Sequence, residues 1–80
     1  MYIVYILRNK GKKFHYVGMT SNLERRLQEH LAGYSVTTKK YLPLELVYTE
    51  ECTDRITARK REKYFKSGSG REYRKKLLGE

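Results

Sequence analysis

An acid set among bases is the first feature of this sequence that could do chemistry. Glu62 is flanked by Arg59, Lys60, Arg61 and Lys63. Ala58, Glu62 and Phe65 stand four and three residues apart, so on a helix they share one face. A carboxylate on the apolar side of a basic helix needs a cation, because an unpaired buried charge is costly. A metal ion would serve, and so would a buried arginine. Arg26 is the candidate protein partner, and a structural salt bridge is the plainer alternative. Arg26 and His30 are four residues apart and lie on one helix face, where they also read as a surface pair. Tyr5 and Tyr16 fall in two segments that a hairpin would bring together. Each tyrosine alone reads as strand packing.

The elements that must hold these groups follow from the pattern around them. Residues 2–8 are rich in β-branched and aromatic types and read as a strand. Asn9 to Lys13, with Gly11, read as a basic turn, and Phe14 to Thr20 as a second strand. Ser21-Asn22-Leu23-Glu24 fits a capping box that opens a helix. Leu23, Leu27 and Leu31 are expected as one buried stripe, with a stop at Gly33. A polar, basic loop from Tyr34 to Leu42 and Pro43 lead into a third strand, Leu44 to Glu51, with Leu44, Leu46 and Tyr48 on one face. Thr53 or Asp54 caps a helix to about Lys66, and Ser67-Gly68 breaks it. Ser69-Gly70-Arg71-Glu72 fits a second capping box, for a last helix to about Leu78. The order is β-β-α-β-α-α, an α+β arrangement of a three-stranded sheet covered by helices, in one domain spanning residues 1–80.

Composition narrows the partners. The chain has 18 Lys and Arg against 9 Asp and Glu, a formal net charge of +9. Ten bases and three acids fall in residues 55–80. Such a field attracts polyanions, nucleic acid foremost. No strong apolar face opposes the charge, so a membrane-surface helix is not expected, and MYIVYIL is too short for a membrane span. Cys52 is the only cysteine, which excludes an internal disulfide and makes a reducing cytoplasm the simplest compartment. Cys52, His15 and His30 lack the paired spacing of a zinc site.

Read as an ordered set, the motifs resemble those of the GIY-YIG nuclease family. They are Val4-Tyr5-Ile6, then Tyr16-Val17-Gly18-Met19-Thr20, then Asn22 to His30 with its Arg-x-x-x-His. Pro43 to Tyr48, Arg61 to Lys66 and Ser67 to Glu72 are similar to small stand-alone bacterial members, so the likeness spans nearly the whole chain. It implies a central three-stranded antiparallel sheet flanked by helices. It assigns the catalytic positions to Tyr5, Tyr16, Arg26, His30 and Glu62, with Glu62 holding one Mg²⁺ or Mn²⁺ ion. In that scheme Tyr5 takes the proton of the attacking water, Tyr16 contacts phosphate or water, and His30 orients a tyrosine or shuttles a proton. Arg26 donates to the phosphate.

Gly18 would let the backbone approach the substrate, and Lys39, Lys40, Arg59, Lys63 and Lys66 would grip flanking phosphates. The implied activity is metal-dependent hydrolysis of DNA by an endonuclease of low intrinsic sequence specificity, related to the excision-repair nuclease subunit. DNA is expected ahead of RNA, with a protein partner or homodimer as a source of specificity. Three positions depart from the pattern. The first motif reads Val-Tyr-Ile, Met19 stands where the repair nuclease has lysine, and no clear asparagine follows Glu62. These departures motivate the alternative, a non-catalytic nucleic-acid-binding module with the same fold.

Overall fold

The computed structural model describes residues 1–11 and 14–80. Lys12 and Lys13, expected in the basic turn, lie outside the described residues. The elements are β1 (Tyr2–Asn9), β2 (His15–Thr20), α1 (Leu23–Leu31), α2 (Val36–Lys39), β3 (Leu44–Cys52), α3 (Arg55–Lys66) and α4 (Gly68–Leu77). The three strands form one antiparallel sheet in the order β2-β1-β3. The expected α+β order holds, with one added turn of helix, α2, inside the expected loop.

Central position explains the composition of β1. Val4, Tyr5, Ile6 and Leu7 are all buried, because side chains alternate between two faces and both are covered. Val4 and Ile6 pack with Val17, Cys52, Ala58 and Phe65, the last two from α3. Tyr5 and Leu7 pack with Leu44 and, from α1, with Leu23 and Leu27. The protein therefore has two thin cores, one on each side of a single sheet.

Strand β3 serves both cores through a bulge. Ile6 lies opposite Tyr48 but Leu7 lies opposite Leu46, so Val47 is an extra residue. Leu44 consequently joins the Tyr5 side while Tyr48 joins the Val4 side. This corrects the expectation that Leu44, Leu46 and Tyr48 share a face, and Leu46 is 38% exposed.

Helix α1 corrects the leucine stripe. Leu31 is 48% exposed, whereas His30 is fully buried. Each residue turns the helix by about 100°, so Leu31 is rotated by about 80° from Leu23 while His30 returns to within about 20° of it. Histidine, not the third leucine, completes the buried face. The cap is Asn22, whose Oδ1 accepts from Arg25 N at 3.1 Å, rather than Ser21. Asp54 caps α3, accepting from Thr57 N at 2.7 Å.

Helices α3 and α4 meet at a single residue. Ser67 Oγ donates to Tyr64 O at 2.6 Å and accepts from Gly70 N at 3.1 Å, so α4 begins before the expected cap at Ser69. The reason is a close crossing. A Cβ on Gly70 would stand 1.7 Å from Tyr64 O and 2.7 Å from Phe65 Cα, both backbone atoms. Gly68 has nothing within 4 Å of the same construction.

Gly70→Ala is therefore expected to cost about 3 kcal/mol or more, because backbone must move. Gly68→Ala should be neutral or gain up to about 1 kcal/mol, by restricting the unfolded chain. Urea unfolding of both variants checks this; equal stabilities would contradict the crossing geometry.

Candidate active site

Tyr5 is the largest fully buried side chain. It faces Gly18 directly across the β1–β2 pair. A Cβ on Gly18 would lie 2.6 Å from Tyr5 Oη and 2.7 Å from its Cζ. The phenol therefore occupies the space that any side chain on β2 would need. Because β2 is an edge strand, a ring lying across it is directed to the open margin of the sheet. Tyr16, opposite Leu7, is the next β2 residue on this face, with its ring 6.2 Å from that of Tyr5.

Helix α1 brings the next two groups to this margin. His30 Nε2 is 2.9 Å from Tyr5 Oη, and His30 Nδ1 is 2.8 Å from Thr38 Oγ1 on α2. The imidazole also packs 4.9 Å from the Tyr16 ring. Arg26, one turn earlier, lies near enough for its charge to act on the Tyr5 phenol and on His30. Glu29 Oε1 holds it at 3.0 Å and is the main reason its pKa is raised.

The donors and acceptors suggest a direction. Burial, then the nearby Arg26 charge, lowers the pKa of His30, which keeps the ring neutral at pH 7. A neutral ring has one donor and one acceptor. The assignment that gives each hydrogen a partner runs Tyr5 O–H to His30 Nε2, and His30 Nδ1–H to Thr38 Oγ1. Burial pushes Tyr5 up to about 12; Arg26 opposes this, while Tyr16 and Glu62 add to it.

Glu62 stands on α3, which lies against the other face of the sheet, under β2 and β1. Its effect on Tyr5 means that its charge is felt at the phenol. Its side chain is 12% exposed. Its ion-pair partners among the described residues are Arg59 at 3.6 Å and Lys66 at 3.3 Å, not Arg26. Both are largely exposed cations at i−3 and i+4, of the kind that contribute little.

No group of three His, Cys, Asp or Glu side chains suited to a metal occurs among the described residues. A single carboxylate does not fit zinc or a calcium cage. It does fit Mg²⁺ or Mn²⁺, which keep several waters and take the remaining oxygens from a bound phosphate.

The residues expected to grip nucleic acid do not form one patch. Arg59 and Lys63 line a groove of about 360 Å³ on α3 with Arg55, Ile56 and Lys60. Lys66 lines a different groove, of about 330 Å³, together with Tyr16. Lys39 ends α2, and Lys40 follows it, both exposed. Gly18 is buried, and its open side is filled by Tyr5. Thr38 is a site residue that sequence reasoning missed. It sits in Val36-Thr37-Thr38-Lys39, where β-branched residues disfavour helix and Ser35 makes no side-chain capping bond, so no local signal marks it.

Three comparisons bear on this site. The family description "GIY-YIG catalytic domain" matches residues 1–76. A UPF0213 protein of Limosilactobacillus reuteri is 36% identical over 81 residues, covering 96% of this chain and 82% of its own. UPF0213 protein NP_0776A of Natronomonas pharaonis is 43% identical over 53 residues, covering 65% and 62%. UPF0213 protein CPE1444 of Clostridium perfringens is 39% identical over 67 residues, covering 82% and 71%. No solved structure matches the chain.

The buried chain has two measurable consequences. Thr38→Val strands the imidazole N–H and should cost about 1–3 kcal/mol in a thermal or urea melt. A phenol pushed up by burial stays protonated in the folded state while the unfolded chain ionises. Unfolding free energy should thus fall as pH rises from about 10 towards 12. Tyr48, also raised to about 12, first by burial and then by Glu50, shares this trend. Tyr5→Phe should make the alkaline decline shallower; an unchanged slope would show that Tyr5 is not desolvated.

Proposed function

The chain belongs to the GIY-YIG family of nucleases, and from that premise we propose that it is a divalent-metal-dependent endonuclease that hydrolyses phosphodiester bonds in DNA with low intrinsic sequence specificity. The observation that supports this reading is the buried hydrogen-bond chain Tyr5–His30–Thr38 at the sheet margin, with the charge of Arg26 beside it and the lone carboxylate of Glu62 on α3.

Tyr5 acts as a relay in this scheme. A phenol near 12 is a poor base by itself at neutral pH. Its O–H proton passes to the neutral Nε2 of His30 while Oη takes a proton from the attacking water. The hydroxide so formed adds to phosphorus, the P–O bond to the leaving oxygen breaks, and solvent protonates that oxygen. Thr38 accepts from Nδ1–H and so keeps Nε2 the basic nitrogen. Arg26 donates to a non-bridging oxygen, where its fixed charge is worth most as negative charge builds. Tyr16 donates to the same phosphate. Glu62 would hold the Mg²⁺ or Mn²⁺ ion, which when bound neutralises a non-bridging oxygen and the departing oxyanion. Lys39, Lys40, Arg59, Lys63 and Lys66 add contacts to flanking phosphates. Such contacts position a strand without reading its bases, which supports low sequence specificity.

Plasmid, branched DNA, single strands and RNA, each with and without Mg²⁺ or Mn²⁺, test the reading. Glu62→Ala should abolish nicking while leaving most of the binding, because grip comes from the basic surface. Undiminished cutting by that variant would remove Glu62 from the mechanism. His30→Gln and Tyr5→Phe should each lose about 10²–10⁴-fold in rate, the range of a positioned proton-transfer group.

A further inference from the structure

Arg74 is the one side chain whose burial the fold and the site leave unexplained. It lies on α4 and is 8% exposed. Its Nε is buried and has no hydrogen-bond partner, alone in that respect among the described side chains. Burial, then the neighbouring Arg71, pushes its pKa down, with only Glu80 opposing. A desolvated guanidinium beside a second one is costly to keep without an anion.

The surroundings suggest what that anion is. Arg74 lines the groove of about 330 Å³ together with Arg71, Lys66, His15, Phe14 and Tyr16. Tyr16 also belongs to the phenol cluster, so the groove opens directly off the candidate active site. The acids nearby are already engaged. Glu80 Oε2 bonds Arg8 Nη1 and His15 Nε2, each at 3.0 Å, and Glu62 Oε2 bonds Lys66 Nζ at 3.3 Å. His15 and Lys66 in the groove wall are thus paired, whereas Arg71 and Arg74 have no ion pair among the described residues.

We propose that this groove is a second phosphate subsite, in which Arg74, with Arg71 and Lys66, holds a backbone phosphate of the same strand whose neighbouring phosphodiester lies at the phenol cluster. Arginine suits the task because its planar fork matches two phosphate oxygens. The subsite deepens the nuclease reading and rests on it. It makes the strand run from the phenols over Tyr16 towards α4, and so gives the cut a defined polarity along the chain.

Binding measured without metal separates the two ideas, since no cutting then occurs. In ¹⁵N-labelled wild type, titration with octathymidylate should shift the Arg74 Nε–Hε resonance to saturation, and inorganic phosphate should move it in the same direction. By fluorescence anisotropy, Arg74→Met should bind the oligonucleotide about tenfold or more weakly. Its slope of log affinity against log salt should be shallower by about 0.7. Its unfolding midpoint should equal or exceed the wild-type value, because a desolvated charge has gone. If the methionine variant does not fold, Arg74→Lys, which keeps charge but loses the fork, should still bind more weakly than wild type. A resonance unmoved at saturating oligonucleotide, or wild-type affinity and salt slope in the variant, overturns the subsite. Absence of nicking by wild type, with these binding results intact, would count against the nuclease reading and leave the phosphate subsite standing.

Discussion

A hydrogen bond of 2.9 Å between Tyr5 Oη and His30 Nε2 ties the central strand to the helix beyond it, and the candidate site is arranged around that bond. Both groups are essentially excluded from solvent, so each would be costly without the other. Their meeting requires three concessions from the fold. Strand β2 has no side chain at Gly18, helix α1 gives histidine rather than leucine its last buried place, and one turn of helix carries Thr38 to the far nitrogen. Each would be a defect in isolation. Together they leave a phenol, an imidazole and a hydroxyl in line.

Much of this was legible in the residues. Strand and helix periods marked the α+β order, because alternation and the four-residue repeat are local properties. The four-residue spacing put Arg26 and His30 on one helix face for the same reason, whereas their grouping with Glu62 came only from the family resemblance. What escaped notice is non-local. The bulge at Val47 depends on how β3 pairs with β1, so nothing in Leu44 to Tyr48 reveals that the face switches. Thr38 matters only through a partner eight residues away, and its short helix has no cap to announce it. Gly18 looked like room for a substrate; its space belongs to Tyr5, a fact that only the cross-strand register discloses. Arg74 was one base among many, and only its burial sets it apart.

The charge is organised as sharply as the core. Surface pairs such as Arg61 with Glu50 and Arg8 with Glu45 and Glu80 neutralise the rims. Arg61 also stacks over Tyr64 and Phe65, so part of the basic excess serves packing and is lost to ligands. Among the described residues, other bases lie on α3, on α2, along the groove beneath Tyr16, at Lys10 and at the end of α4. A net charge of +9 thus overstates the binding surface.

Burial of Tyr5 has a consequence for descent as well as for chemistry. The residue fills more of the interior than any other fully enclosed side chain, so drift that abandoned cutting would still be held to it by folding alone. Glu62 is held less firmly, since its ion-pair partners among the described residues are exposed cations on its own helix. A lineage that had become a mere binder would therefore keep its tyrosine and shed its glutamate. In proteins of this build, the carboxylate, not the motif's more conspicuous phenol, is the honest witness to a living enzyme.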